Sequence, residues 1–406
     1  MSRRSSLRVA LDLTPLPSAK AGVGRYALGL LKGLLKAIED GRVQLVCIVK
    51  PRDVEEVLAQ APGAEIIEAG PFLLGRAGRI AWEQTVLPAL LKKCRADLFH
   101  GIHYTVALRS RLPQTVVFHD PTFWTNPAVH TRLKVAYFRR MAWLASKRVR
   151  LVFTVSNWSK NTLCAVLRLP PEKVRVTYHG VDESLLERAS QEEIQRFRDS
   201  IAASDAKLIA FIGTIEPRKN IPRLAMAVEL LRERIKDQSV LLAVAGQRGW
   251  MTNESEKWLE RGERQGWIRR LGYVDEAQKR LLLQSADAFV YPSLAEGFGI
   301  PIVEAFASGT PVVTSNRGAT AEIANGAAVL INPYDVVEMT RAMEKILCDP
   351  AKAERLRELG AARASEFTWE KTAQSTRGLT KPSSGTVSVR SASSVLVVYS
   401  YLDRPR

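Results

Sequence analysis

The chain has 406 residues, of which 59 are Lys or Arg and 42 are Asp or Glu, giving a formal net charge of +17. A hydrophobic share of 46% and a charged share of 25% suit a folded globular protein and argue against disorder. No apolar run reaches the ~20 residues of a membrane helix, and Cys47, Cys94, Cys164 and Cys348 lack the paired spacing of a zinc site or disulfide framework. The basic start runs directly into an apolar strand that Pro15 and Pro17 soon interrupt, so no signal peptide is expected and a cytoplasmic location is.

A length well above ~150 residues per domain predicts two or three domains, and short apolar runs alternating with amphipathic stretches predict α/β architecture with parallel sheets. The first lobe is read as strands at Val9–Leu13, Leu45–Val49, Glu65–Glu68, Leu98–Phe99, Gln114–Phe118, Leu151–Val155 and Val174–Thr177. Between them the clearest helix is Gly24–Ala37, with Tyr26, Leu30, Leu31, Leu34 and Leu35 on one side. His130–Arg150 contains no acidic residue, and its apolar residues Leu133, Tyr137, Met141 and Leu144 recur at helical spacing. That pattern fits a helix with a basic outer face near an anionic membrane surface, and equally an amphipathic core helix with a solvated basic face. No nucleic-acid motif is present, and nucleic acid is not an expected partner.

The polar passage Gly180–Asp205, helical over Gln191–Ser200, is read as the bridge between lobes. Strands of the second lobe are expected at Leu208–Ile212, Val240–Ala245, Ile268–Leu271, Ala288–Tyr291, Val312–Thr314 and Val329–Ile331, followed by helices over Tyr334–Leu347 and Ala351–Glu366. After Trp369 the pattern changes, and Thr376–Ser394 is rich in Ser, Thr, Gly and Arg. The expected domains are 1–195, 196–375 and an atypical tail over 376–406.

The most informative segment is Tyr291–Thr314, which reads as strand, glycine loop, short helix and strand. Gly297 and Gly299 let backbone approach a ligand; Pro301 suits the helix start and Gly309 the position past its end. The free amides and positive dipole end of that helix form a diphosphate site. Glu296 and Glu304, eight residues apart, span roughly 12 Å of helix, a separation that suits hydroxyls at both ends of a sugar nucleotide. An ordinary βαβ turn with two solvated glutamates fits the same spacing. Upstream, Gly213 precedes Glu216-Pro217-Arg218-Lys219-Asn220, two cations at a helix start where the dipole disfavours them, a misfit that favours an anionic ligand. In doubly wound sheets such loops converge beyond the carboxyl ends of strands.

The motif Glu296-Gly-Phe-Gly-Ile-Pro-Ile-Val-Glu304-Ala with Gly309-Thr-Pro-Val-Val resembles retaining glycosyltransferase family 4, as does Phe211–Asn220. The amino-terminal segments Gly22-Val-Gly24-Arg25-Tyr26, Phe99-His100-Gly-Ile-His103-Tyr104, Val117-Phe-His119-Asp120 and Thr154–Ser159 follow in the family's order, and His179 stands where the family more often has Asn. The likeness runs from about residue 7 to 372 and is nearest to mannosyltransferase-like members. It implies a GT-B fold: two Rossmann-like doubly wound parallel-sheet domains around an interdomain cleft. It implies a nucleotide-sugar donor (GDP-, UDP- or ADP-sugar), a glycan or lipid-linked saccharide acceptor, no cofactor and no metal. The basic face of His130–Arg150 extends the cytoplasmic reading to a peripheral place on the inner face of the membrane, and the resemblance implies that a helix closing back on the first lobe should end the fold, which the tail does not resemble.

Carried over by residue, the resemblance makes His119, Arg218, Lys219 and Glu296 catalytic. Gly22, Gly24, Gly213, Tyr273, Gly297, Phe298, Gly299 and Glu304 become donor-binding, and His103 and Asp120 acceptor-side. From the residues alone, His119 at a strand end also reads as a structural histidine, and Asp120 as the cap of the next turn. His100 and His103 form H-x-x-H without a third ligand nearby. Gly22-Val-Gly24-Arg-Tyr-Ala27 satisfies a dinucleotide fingerprint but begins nine residues after Leu13 rather than in a tight turn, so a glycine loop facing donor or acceptor is the better reading. No protein nucleophile stands out, and a front-face mechanism follows from the resemblance. A nucleotide-sugar epimerase or phosphorylase would reuse the same crevice, and a non-catalytic basic binding protein would bind anionic partners without it.

Overall fold

The computed structural model describes residues 6–17, 22–41, 43–70 and 75–377. The Ser/Thr/Gly/Arg-rich tail therefore lies outside the described residues from 378 on.

Apolar runs buried on both faces form parallel strands, as expected where helices cover both sides of a sheet. The first sheet comprises β1 (Leu7–Asp12), β2 (Val43–Val49), β3 (Glu65–Glu68), β4 (Leu98–Gly101), β5 (Gln114–Phe118), β6 (Leu151–Thr154) and β7 (Val174–Val176) in the order β3-β2-β1-β4-β5-β6-β7. The second comprises β8 (Lys207–Ile212), β9 (Val240–Ala245), β10 (Ile268–Gly272), β11 (Ala288–Tyr291), β12 (Val312–Ser315) and β13 (Val329–Ile331) in the order β10-β9-β8-β11-β12-β13. Among the described residues every pairing of these strands is parallel. Each expected strand is present, with ends moved by up to two residues. The strand order reverses at β1/β4 and at β8/β11, and at such points the carboxyl ends leave a crevice for ligands.

The lobes also meet through packing that glycines make possible. The helix Val23–Glu39 buries Tyr26, Leu30, Leu31 and Leu34 in the first lobe. Its Gly29 and Gly33 form one wall of a slot for Trp369, because a Cβ on either would come within 2.2 Å of Trp369. Gly180 forms another wall, where a Cβ would lie 2.3 Å from the Trp369 amide nitrogen. Trp369 opens the helix Trp369–Arg377, and with Ala373 it joins the first lobe's core. This corrects the expectation that the carboxyl-terminal region lacks a closing helix. The helix does cross back, but its polar sequence hides the fact because Trp369 and Ala373 are its only buried apolar residues and Thr372, also buried, is polar.

A second contact joins the helix Gly318–Ala324 to the first lobe. Glu322 accepts from the backbone amides of Asn157 and Trp158, each at 2.8 Å, and from the Tyr178 hydroxyl at 2.8 Å. A carboxylate thus caps the helix Asn157–Leu167 from the opposite lobe, where the dipole favours negative charge.

Trp369→Ala should leave the glycine slot empty and cost about 3 kcal/mol or more. The expected result is a lowered first-lobe transition in calorimetry; an unchanged transition would show that the crossing helix is not docked.

Candidate active site in the interlobe cleft

The β8/β11 crevice is built by two loops. After β8, the chain at Gly213 lies close against the loop after β9 because Gly246 has no side chain: a Cβ on Gly246 would lie 1.9 Å from the Gly213 carbonyl oxygen. The short turn Pro217–Lys219 follows, and Asn220 adopts a left-handed conformation at φ 61°. Its side-chain amide donates to the Pro292 and Pro333 carbonyls at 3.2 and 2.7 Å, which holds the turn against the loop after β11. That loop leads through Gly299, at φ 104°, into the helix Ile300–Ala307. The two-turn helix with proline near its start and Gly309 beyond its end matches the sequence reading.

Glu296 lies between these loops and is nearly sealed from solvent at 7% exposure. Its Oε2 accepts from Arg218 at 2.5 Å, while its Oε1 accepts from Lys219 at 2.6 Å and from the Tyr291 hydroxyl at 2.9 Å. Lys219 also donates to Tyr291, and Arg218 pairs with buried Glu216 at 2.5 Å. Burial alone would raise the Glu296 carboxyl, but Arg218 and Lys219 hold it at about 2. Burial and the neighbouring guanidinium pull the Lys219 ammonium below its ordinary value, whereas Glu296 and Glu216 keep Arg218 above its own despite burial. The cation pair is thus compensated by two carboxylates, so its position at a helix start, which sequence alone reads as favouring an anionic ligand, is accounted for without one. Adjacent Glu216 supplies the missing charge.

Glu304, 3% exposed, forms a second cluster. It accepts from buried Lys279 at 2.7 Å, and Arg25 of the first lobe reaches across the cleft to it and to Glu276, the latter at 3.0 Å. Lys279 also pairs with Glu276 at 2.5 Å. Burial and Arg25 lower its ammonium to about 8, against the pull of Glu276.

On the first-lobe side, His119 follows β5, and its Nε2 donates to the Ile102 carbonyl at 2.7 Å. Burial lowers its basicity below that of an ordinary imidazole, against the opposing effects of the Ile102 bond and Asp120, and so favours the neutral ring. His179 stacks parallel to it, 6.0 Å between centroids, and Tyr26 meets both rings edge-on. His103 lies 6.0 Å from His119 and packs edge-on against Phe138; burial holds it well below the usual imidazole range. Asp120 caps the next turn through Thr122, as its alternative reading anticipates. His100 bonds Thr115 through Nδ1.

The lobes touch here directly. A Cβ on Gly297 would lie 1.9 Å from the His119 carbonyl oxygen, and the Gly297 carbonyl accepts from Ser156 at 2.7 Å and Ser159 at 3.1 Å. The structure thus brings His119, Asp120 and Gly297 into one contact with the Arg218–Lys219–Glu296 set beside it, while Gly22 and Gly24 open the helix that carries Arg25. Phe298 is different: its ring packs in the interior against His179 and Phe367, so only its backbone is available to a ligand. Tyr273 stands apart at the end of β10, 59% exposed.

Sequence reasoning missed Arg25, Glu216, Lys279, Tyr291, Ser156 and Glu322 as members of this region. Glu216, two residues before Arg218, and Tyr291, five before Glu296, had local signals; Arg25 and Ser156 lie in the amino-terminal motif segments but meet partners far along the chain, as do Lys279 and Glu322.

Two parallel doubly wound lobes closing on such a cleft define a GT-B glycosyltransferase fold. The comparisons agree in detail: residues 193–363 match the model of glycosyl transferases group 1, and residues 21–185 match that of glycosyltransferase family 4. The chain belongs to the group 1 glycosyl transferases. It is 29% identical over 387 residues to O-antigen chain mannosyltransferase B of Escherichia coli, covering 90% of this chain and 97% of that one. It is also 29% identical over 258 residues to the MMP alpha-(1->4)-mannosyltransferase of Mycolicibacterium hassiacum, covering 63% and 58%. Among solved structures, Anabaena Alr3699/HepE in complex with UDP and glucose shares the fold with a TM-score of 0.72 at 19% identity, over 91% of this chain and 98% of that one. The glycosyltransferase WaaG, involved in lipopolysaccharide biosynthesis, does so with a TM-score of 0.70 at 16% identity, over 91% and 98%.

Because the folded Glu296 carboxyl is depressed, its contribution to stability is complete above an unfolded pKa of ~4.3 and is lost as pH falls towards about 2. Wild type should therefore lose stability more steeply than Glu296→Gln over that window in denaturant titrations; parallel slopes would contradict the assignment.

Proposed function

We propose that this glycosyltransferase moves mannose, with retention of configuration, from a nucleotide diphosphate donor to a glycan or lipid-linked saccharide acceptor. The observation that carries the reading is the Arg218–Lys219–Glu296 cluster at the β8/β11 crevice, facing His119 across a closed interlobe contact. Mannose is favoured by the named activities of the relatives above, and a nucleoside diphosphate by the UDP complex of the structural neighbour.

As the glycosidic bond breaks, the departing diphosphate gains negative charge. Arg218, Lys219 and the amides at the start of the helix Ile300–Ala307 then stabilise the transition state more than the ground state. Glu296 fixes both cations and offers its remaining acceptor capacity to hydroxyls of the donor sugar. Glu304 takes the ribose, exchanging part of its bonding with Arg25 and Lys279. The backbone of Gly213, Gly297, Phe298 and Gly299 lines the sugar and diphosphate, Gly22 and Gly24 border them from the first lobe, and Tyr273 faces the base. Neutral His119 contacts the transferred sugar, with Asp120 and His103 on the acceptor side. A front-face route suits this set: the leaving diphosphate oxygen takes the proton of the incoming acceptor hydroxyl, and lobe closure excludes water that would otherwise accept the sugar.

The work is assigned to the cytoplasmic side of a membrane. The exposed residues of the helix Arg132–Arg148 include Arg132, Leu133, Arg139, Arg140, Trp143 and Lys147, with Leu133 82% exposed, a basic and apolar surface suited to anionic lipid. Among the described residues no helix is long and apolar enough to cross a bilayer.

Lys219→Ala and Glu304→Ala should each lower turnover of a nucleotide sugar by about a hundredfold or more while the protein stays folded. A thermal-shift panel of UDP, GDP, ADP and their sugars reads donor choice directly, with GDP-mannose expected to give the largest rise. Unchanged turnover in both variants would remove the assignment.

A further inference from the structure

Beneath the first-lobe side of the cleft lies a buried polar network that the proposed chemistry does not use. Arg79, on the helix Gly75–Lys93, donates to Glu83 one turn on at 2.9 Å, to Asp12 at the carboxyl end of β1 at 3.4 Å, and to the Thr105 hydroxyl at 3.1 Å. The same hydroxyl donates to Glu83 at 2.6 Å. Next along the helix, Gln84 donates to the Val106 carbonyl at 2.9 Å and accepts from the Leu108 amide at 3.0 Å. Asp12 and Glu83 are 3% and 1% exposed, and their partners lie within the network. Burial pushes the Glu83 carboxyl up to about 7 against the pull of Arg79. Buried ion pairs of this kind are poor sources of stability, and well-packed apolar residues commonly replace them without loss.

What the network grips is the turn between β4 and β5. Within it Tyr104 has φ 53°, an uncommon backbone conformation for a bulky side chain. Two groups of this turn hold the site. The Ile102 carbonyl orients the His119 ring, and the Tyr104 hydroxyl accepts from the Asp120 amide at 2.8 Å while donating to the Asp120 carbonyl. His119 and Asp120 are the backbone against which Gly297 packs.

We propose that Arg79, Glu83 and Thr105 are positioning residues for sugar transfer: the helix Gly75–Lys93 clamps the strained 102–105 turn, and the turn sets His119 and Asp120 at the acceptor side of the cleft. None of the three touches substrate. The clamp acts through two intermediate contacts, so its loss should misplace the reacting groups without weakening the donor site in the other lobe. This inference rests on the proposed function, and its test separates the two.

Thr105→Val removes the hydroxyl from the clamp at nearly constant volume, whereas Thr105→Ser retains it. With GDP-mannose as donor and methyl α-mannoside as acceptor probe, Thr105→Val is expected to lower kcat roughly 10–100-fold, with KM for GDP-mannose within about twofold of wild type. Thr105→Ser should restore kcat. Independently of turnover, amide exchange at 102–105 and 119–120 should rise at least about tenfold in Thr105→Val, with no rise in Thr105→Ser and none in the second lobe. Absence of turnover in wild type would overturn the mannose reading and leave the exchange result to decide the clamp. Unchanged local exchange in Thr105→Val, or loss of GDP-mannose binding together with kcat, overturns the proposal.

Discussion

Glu296 is buried and ionised, and the arrangement of the cleft follows from the need to satisfy it. An isolated carboxylate at such a site would take up a proton rather than remain charged. Here Arg218, Lys219 and the Tyr291 hydroxyl converge on it from two loops at the carboxyl ends of adjacent strands. The bonds fix the cations in position before any ligand arrives. Preorganised charge of this sort does not have to reorient during the reaction, and that is where electrostatic catalysis gains its advantage over water. Glu216 completes the balance, so the fold tolerates a buried and a half-buried cation side by side and still presents donors to an incoming anion.

Glycine decides how the lobes meet. Gly29, Gly33 and Gly180 leave the space that Trp369 occupies, and Gly297 lets one loop lie on the His119–Asp120 backbone. These contacts work by the absence of a side chain, which explains why both are intolerant of even a methyl group. The Ser156 and Ser159 hydroxyls and the Glu322 carboxylate then add directional bonds across the same boundary. Closure therefore depends on shape at its centre and on hydrogen bonds at its edge. A donor held between the lobes would replace the Arg25 bridge to Glu304 with its own contacts, coupling ligand binding to the position of the first lobe.

Much of this architecture was legible in the chain because it is written locally. The apolar runs of β9 and β11, the glycine loop at 297–299 and the proline and glycine at either end of the helix Ile300–Ala307 each carry their signal within a few residues. The meeting of candidate residues was legible in the same measure: Arg218, Lys219 and Glu296 come from two short motifs that the strand order brings together. What stayed hidden depends on separation. Lys279 looks like any helical lysine until Glu304 and Glu276 surround it, and nothing near Arg25 announces a partner in the opposite lobe. The closing helix was hidden for another reason, since one tryptophan and one alanine in a polar stretch carry too weak a period to register. The cation pair at a helix start says less by itself than its position suggests, because Glu216, two residues before Arg218, already compensates it.

The central claim is that the charge cluster around Glu296 is a diphosphate site held ready by the fold. A crystal structure of the chain with bound GDP tests it most directly. The account predicts the diphosphate in hydrogen-bond contact with Arg218, Lys219 and the amides at the start of the helix Ile300–Ala307, with Glu296 still holding both cations. A diphosphate seated elsewhere, with the Arg218–Lys219–Glu296 contacts untouched and facing no ligand, would contradict it.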